Sequence, residues 1–205
     1  MKIGILGGTF DPVHKAHIEI ALAAQRELSL DEVWFMPSYH PPHKANTKIS
    51  SYEERLDMLE LALLHYPQFK ICELEAGRSE HSYTSVSLAL VRKMYPTDAF
   101  YFIMGADSLF EIKTWYQYEK IFSLATLVVI DRAYEQEHEE LRKLQKEYEN
   151  LYQCKIFILN LPQINISSTE IRGNIKKNLF QNTKNNDMID ERVLEYIKEK
   201  QLYIS

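Results

Sequence analysis

The chain has 205 residues, of which 45% are hydrophobic and 26% are charged, and its formal net charge is −5. This length and composition are typical of one α/β domain, expected here over 1–205, that buries a sizeable core. The negative charge argues against a protein that coats nucleic acid through its phosphates.

The apolar run that follows Lys2 is far too short for a signal peptide or a membrane span. Cys72 and Cys154 are far apart and belong to no C-x-x-C pair, so we expect reduced thiols that fill the core. The sequence therefore predicts a cytoplasmic protein that binds neither a membrane nor nucleic acid.

Apolar runs alternate with amphipathic stretches, which predicts strands and helices in turn. The order begins with a strand at 3–6, a helix at 18–28, a strand at 32–36, a loop at 38–50, a helix at 53–65, a strand at 69–73 and a helix at 82–94. It continues with strands at 99–104 and 125–130, a charged surface helix at 135–150, a strand at 156–159, and helices from Ser167 and at 193–200. The helix at 53–65 is expected to turn its leucines at 56, 59, 63 and 64 to the core.

This alternation predicts an α/β fold with a doubly wound, mainly parallel sheet, Rossmann-like, and a small helical C-terminal part at 167–205. Ligands of such sheets bind beyond the carboxyl ends of the strands, where the strand order reverses. Four segments follow predicted strand ends and should gather on one edge: Gly7-Gly8, 37–44, 105–107 and Arg132.

The first candidate site is the segment 7–17, Gly-Gly-Thr-Phe-Asp-Pro-Val-His-Lys-Ala-His. Gly7 and Gly8 let the backbone turn tightly, and the N–H groups of the helix that follows favour an anion. His14 and His17 are three residues apart, so their rings share one face of a helical turn. The spacing matches neither G-x-x-x-x-G-K-[ST] nor G-x-G-x-x-G, and zinc would need at least one further ligand.

The second candidate site is Ser167-Ser168-Thr169-Glu170-Ile171-Arg172. Ser167 and Glu170 have the spacing of a capping box at a helix start. The free N–H groups, the hydroxyls of the next two residues and the Arg172 guanidinium can all bind phosphate oxygens.

These stretches resemble the G-G-[ST]-F-D-P-x-H-x-G-H and [ST]-S-T-x-[IL]-R motifs of the nucleotidyltransferase superfamily, with Ala16 in place of a glycine. Met36-Pro37-Ser38-Tyr39-His40-Pro41-Pro42-His43-Lys44 resembles the P-x-x-x-P-P-H-K segment of bacterial nicotinate-mononucleotide adenylyltransferases. The segments 82–84, 103–108, Trp115 and 193–203 are similar to that family in order and spacing, so the resemblance covers nearly the whole chain.

The resemblance implies that ATP and nicotinate mononucleotide give nicotinate adenine dinucleotide and pyrophosphate, with Mg²⁺ held by the ATP phosphates and not by protein side chains. The residues expected to be catalytic are His14, His17, Lys44 and Arg172. ATP would bind to Gly7, Gly8, Thr9, Phe10, His14, His17, Gly105, Asp107, Arg132, Ser167, Ser168, Thr169 and Arg172. The mononucleotide would bind to Thr9, Lys44, Tyr83, Thr84, Trp115 and Tyr116.

Several alternatives stay open at this point. Trp115 could be a core residue and Asp107 a helix N-cap. Arg132 lacks the Pro-Gly that often follows it in the family, and Val86 replaces an aspartate. The substrate could be phosphopantetheine, a sugar or glycerol phosphate, or nicotinamide mononucleotide. The chain could also be a non-catalytic nucleotide-binding module or a dinucleotide-dependent oxidoreductase, and it could form a homo-oligomer.

Overall fold

A computed structural model describes residues 1–41, 49–78, 81–131, 135–162, 166–177 and 188–204, with only the backbone described at 135–138. Within these ranges six strands form one parallel sheet in the order β3-β2-β1-β4-β5-β6. The strands are β1 (Lys2–Gly8), β2 (Glu32–Pro37), β3 (Phe69–Ile71), β4 (Ala99–Gly105), β5 (Thr126–Asp131) and β6 (Ile156–Asn160). The order reverses between β1 and β4, which is the crevice where such sheets bind ligands.

Both faces of the sheet are covered by helices, because successive strand residues point to opposite sides. In β5, Val128 and Ile130 belong to one hydrophobic core, while Leu127 and Val129 belong to the other. The first core is covered by α1 (Lys15–Leu28), α2 (Tyr52–Leu63), α7 (Ser168–Lys176) and α8 (Glu191–Glu199). The second is covered by α3 (Thr84–Met94), α4 (Ala106–Glu111), α5 (Tyr118–Leu124) and α6 (Glu135–Tyr152).

This arrangement confirms the predicted doubly wound α/β fold and each predicted strand, although β3 ends at Ile71 and is shorter than expected. Two helices were not predicted: α4 and α5 lie between β4 and β5, separated by a 3-10 turn at Ile112–Thr114. Both helices are short, with six and seven residues, so neither displays enough turns for a helical period to be recognised.

Two predictions about side-chain burial need correction. The charged helix α6 is not solvated all round, because Leu141 and Tyr148 are buried in the second core. Leu64, predicted to face the core, caps the end of α2 and is 67% exposed, whereas Arg55 of α2, which was not among the predicted core residues, is 1% exposed. Within the described residues, no helix is long and apolar enough to cross a membrane.

Candidate active site

The carboxyl ends of β1, β2 and β4 meet at one edge of the sheet, as predicted. Gly8 at the end of β1 pairs with Pro37 of β2, and its carbonyl accepts a hydrogen bond from the Ser38 N–H at 2.9 Å. A cavity of about 530 Å³ opens at this edge. Its walls come from the ends of β1 and β2, from β4, from the start of α3 and from the connecting segments around them: Gly7, Gly8, Thr9, Met36, Ser38, Pro41, Glu75, Ser82, Tyr83, Thr84, Phe102, Thr114, Trp115 and Tyr116.

The two histidines of the first motif form a stacked pair at the start of α1. His14 is the N-cap residue, and its backbone N–H donates to Nδ1 of His17 at 3.2 Å. The ring centroids are 3.7 Å apart, and the edge of Phe10 contacts the His17 ring at 5.0 Å. Because Nδ1 of His17 accepts a hydrogen bond, the neutral ring carries its proton on Nε2 and can donate it to an anion.

The second motif packs directly against the first. Ser167 caps α7 by accepting from the Glu170 N–H at 3.1 Å, which is the N-cap half of the predicted capping box. Ser168 Oγ donates to the Pro12 carbonyl at 2.9 Å, so this hydroxyl joins the two motifs where the sequence suggested a phosphate ligand. Arg172 donates from Nη1 to the Asp11 carbonyl at 2.6 Å. The fold therefore brings together two segments that are far apart in the sequence.

Arg172 keeps part of its guanidinium accessible to a ligand. Its Nη2 donates to Thr169 Oγ1 at 3.3 Å, and its side chain is 21% exposed. The same residue lines a second cavity of about 420 Å³ together with Ser50 and Tyr203. A planar cation in this position can bind phosphate oxygens through its remaining donors.

The far end of the larger cavity is aromatic. The rings of Tyr83 and Tyr116 lie 4.5 Å apart, and Trp115 meets Phe102 edge-on at 6.4 Å. Trp115 lines the cavity and also packs against the second core, so its surroundings are compatible with both the core interpretation and the predicted binding role. Thr84 is the first residue of α3, where backbone N–H groups lack helical partners and can bind an anion.

The surroundings of two further positions were not predicted from the sequence. Gly105, not Asp107, is the N-cap of α4, and Asp107 is exposed in the first turn. Ala16 is 1% exposed, so its methyl group is covered by other protein atoms and does not form part of the accessible surface of the site. Lys44 and Arg132 lie outside the described residues.

Sequence reasoning missed the buried Arg55, which holds the first motif in place. Its Nη1 donates to the carbonyls of Thr9 at 2.8 Å and Ser38 at 2.9 Å, and its Nε donates to the Ser50 carbonyl at 3.2 Å. Burial lowers the pKa of Arg55, while the neighbouring Asp11 carboxylate raises it. The available signal was that Arg55 shares the helical spacing of Met58 and Leu59 on the buried face of α2.

Asp11, Tyr203 and Glu75 were also missed as supports of the site. Asp11 is 1% exposed and accepts from the Tyr203 hydroxyl at 2.6 Å. Glu75 is 4% exposed, and accepts from the Ser87 hydroxyl at 2.5 Å and from the Tyr39 N–H at 3.3 Å. No sequence motif predicted these hydrogen-bond partners, because each bond joins residues from different parts of the chain.

The sequence of this chain is similar to those of known proteins. Residues 5–174 match the family model described as cytidylyltransferase-like. A probable nicotinate-nucleotide adenylyltransferase of Shewanella frigidimarina is 39% identical over 215 residues, which covers 99% of this chain and 100% of that protein. A protein of the same description from Shewanella pealeana is 38% identical over 217 residues, covering 99% of this chain and 96% of its own length.

The fold is also similar to that of a solved structure. Plasmodium falciparum nicotinic acid mononucleotide adenylyltransferase complexed with NaAD matches with a TM-score of 0.80 at 23% identity. The match covers 98% of this chain and 97% of that chain. At this level of identity the likeness shows a shared fold, while the identities of the Shewanella proteins show a shared family.

Proposed function

This chain belongs to the nicotinate-nucleotide adenylyltransferases of the cytidylyltransferase-like family, and we propose that it acts by direct in-line attack of the mononucleotide phosphate on the ATP α-phosphate. The products are nicotinate adenine dinucleotide and pyrophosphate, in a step of NAD biosynthesis. The observation that carries the mechanism is the contact between the two phosphate-binding segments, where Arg172 bonds to Asp11 beside the His14–His17 stack.

The chemistry asks little of the protein beyond placement and charge. A phosphate monoester is already a nucleophile at neutral pH, so no protein nucleophile or strong base is required. The enzyme must align two polyanions and stabilise the charge that builds up between them. The His17 Nε2–H, the His14 ring and the Arg172 guanidinium supply that stabilisation, and Lys44 is proposed as a fourth contributor.

The nicotinate end of the mononucleotide is proposed to occupy the aromatic part of the larger cavity. The pyridine ring would stack on Trp115, beside the paired rings of Tyr83 and Tyr116. Its carboxylate would meet backbone N–H donors at the start of α3, near Thr84. Donors without a facing acceptor favour a carboxylate over an amide, so we propose the acid as the preferred substrate.

ATP is proposed to bring Mg²⁺ to the site. Mg²⁺ prefers oxygen ligands and keeps several waters, so the triphosphate oxygens suit it as ligands. Among the described residues, no group of three or more His, Cys, Asp or Glu side chains could hold a metal ion. When bound, the ion would offset phosphate charge, while His17 and Arg172 orient the phosphates.

A pyrophosphate-release assay with ATP, Mg²⁺ and either nicotinate or nicotinamide mononucleotide tests the proposal. We expect pyrophosphate release when both substrates are present and none when either substrate is omitted. We also expect a higher kcat/KM for nicotinate mononucleotide than for nicotinamide mononucleotide. His17→Ala should lose about 10²–10³ in rate, as expected for one preorganised donor, with little change in thermal stability. A folded wild-type protein that releases no pyrophosphate would refute the proposed activity.

A further inference from the structure

The C-terminal Tyr203 contacts the site from outside both motifs. Its hydroxyl donates to Asp11 Oδ1 at 2.6 Å, and its ring packs against the first core. Burial raises the pKa of this hydroxyl, and the Asp11 carboxylate raises it further, so Tyr203 stays protonated and donates. The residue also has φ of 66°, a left-handed conformation that a non-glycine residue adopts only when its surroundings hold it there.

Asp11 is a buried carboxylate whose two oxygens have different surroundings. Oδ1 accepts from Tyr203 and, at 3.4 Å, from the Ser50 N–H. Oδ2 accepts no hydrogen bond from the described residues and lies 4.0 Å from Nη1 of Arg172. The guanidinium bonds to the backbone carbonyl of Asp11 instead of to its carboxylate.

Arg172 therefore lies near the Asp11 carboxylate without forming a hydrogen-bonded ion pair with it. A hydrogen-bonded ion pair needs the nitrogen and oxygen about 2.7–2.9 Å apart, so the carboxylate would have to turn by about 1 Å. The bond from Tyr203 to Oδ1 opposes that turn. Without it, a buried carboxylate that lacks a donor would move toward the nearest cation.

We propose that Tyr203 is a positioning residue of the ATP site, which holds the Asp11 carboxylate back from Arg172 so that the guanidinium stays available to the ATP phosphates. The proposal rests on the proposed function, because it takes ATP as the ligand of Arg172. It predicts a specific defect in ATP affinity, whereas a purely structural role for Tyr203 predicts reduced stability with both substrates affected alike.

The test compares Tyr203→Phe with Tyr196→Phe. Tyr196 Oη donates to Asp57 Oδ2 at 2.6 Å, so the control removes a tyrosine–aspartate hydrogen bond of the same length away from the motifs. Calorimetric titration with α,β-methylene ATP and Mg²⁺ measures binding without turnover. We expect the dissociation constant to rise about tenfold in Tyr203→Phe and less than twofold in Tyr196→Phe, with KM for the mononucleotide unchanged in both.

A second measurement assigns the effect to Asp11. In an Asp11→Asn background no charge can capture Arg172, so Tyr203→Phe should then change affinity less than twofold. Unchanged affinity in Tyr203→Phe, an equal loss in Tyr196→Phe, or an undiminished loss in the Asp11→Asn background would each overturn the proposal. If Asp11→Asn does not fold, the comparison of the two tyrosine variants decides alone.

The same titration separates this proposal from the proposed function. A wild type that binds the analogue, with weaker binding in Tyr203→Phe, supports the positioning role even if no pyrophosphate is released. Turnover of both mononucleotide and ATP with unchanged affinity in Tyr203→Phe supports the function and refutes the positioning role. A wild type that neither binds the analogue nor releases pyrophosphate refutes both.

Discussion

Replacement of Arg55 by leucine tests whether one buried side chain sets the shape of the phosphate-binding segment. The guanidinium is 1% exposed and bonds to the carbonyls of Thr9, Ser38 and Ser50. Leucine fills part of the volume but donates nothing. The substitution therefore leaves three carbonyls without their donor and removes the positive charge that faces the buried Asp11 carboxylate.

The expected cost follows from these partners. A hydrogen bond from a charged donor contributes a net ~1.5–3 kcal/mol, but loss of the arginine also removes the cost of burying its charge. Breaking one side of a buried charge pair costs about 3–5 kcal/mol, which we take as the net loss in unfolding free energy. For a chain of this size each kcal/mol lowers Tm by about 2–4 °C, so Tm should fall by roughly 10 °C.

Thermal and urea unfolding of Arg55→Leu measure this loss, with Arg26→Leu as the matched control. Arg26 lies on a helix too, but its side chain is 75% exposed and its guanidinium pairs only with Glu27 among the contacts described. An exposed pair contributes about 0–1 kcal/mol, so the control should unfold within about 2 °C of wild type. Equal Tm values for the two variants would refute the conclusion that Arg55 stabilises the fold through these buried hydrogen bonds.

Three more predictions concern the phosphate turn, the aromatic wall and the C-terminal helix. Gly8→Ala places a Cβ 2.9 Å from two ring atoms of Phe10, so the Phe10 ring must shift against His17, which it contacts. We therefore expect kcat to fall more than about tenfold, and an unchanged kcat would contradict this. Trp115→Ala should raise KM for the mononucleotide about tenfold by loss of stacking, with KM for ATP unchanged; equal increases would argue against stacking. Asp190→Ala removes the N-cap of α8 and should cost about 1 kcal/mol at neutral pH. The Arg192 hydrogen bond holds the pKa of Asp190 below its ordinary value of 3.8, so this stabilisation is present above that value and is lost as pH falls through the lower folded pKa. The unfolding curves of variant and wild type should therefore converge in acid. A difference in stability that persists in acid would refute the N-cap role of Asp190.

Local patterns in the sequence were sufficient for the order and type of most elements. Apolar runs that end at Gly7 or Pro37 predicted buried parallel strands, because a strand covered on both faces needs apolar residues throughout. The Ser167–Glu170 spacing predicted the start of α7, since a helix cap is made by residues three apart. The parallel topology then placed the strand ends on one edge without any knowledge of contacts.

The two motifs proposed to bind phosphate were likewise visible in the sequence, but their mutual arrangement was not. His14 and His17 were predicted to share a face, and the structure stacks them at 3.7 Å. The bond from Ser168 to Pro12 could not be predicted, because the Ser168 hydroxyl could equally have bonded to water or phosphate, and the Pro12 carbonyl to water. The roles of Lys44 and Arg132 stay predictions, since both lie outside the described residues.

The sequence by itself determined the parallel α/β sheet, the edge at which the strand ends meet and the two segments proposed to bind phosphate, because each is encoded within a few neighbouring residues. Only the tertiary structure decided that Arg55 is buried, that Tyr203 reaches Asp11, and that the segment between α4 and α5 contributes Trp115 and Tyr116 to the aromatic cavity. These features depend on contacts between residues distant in the chain. The periodicity of a helix or strand predicts which of its faces is buried, but not which polar groups on other elements its residues will bond to.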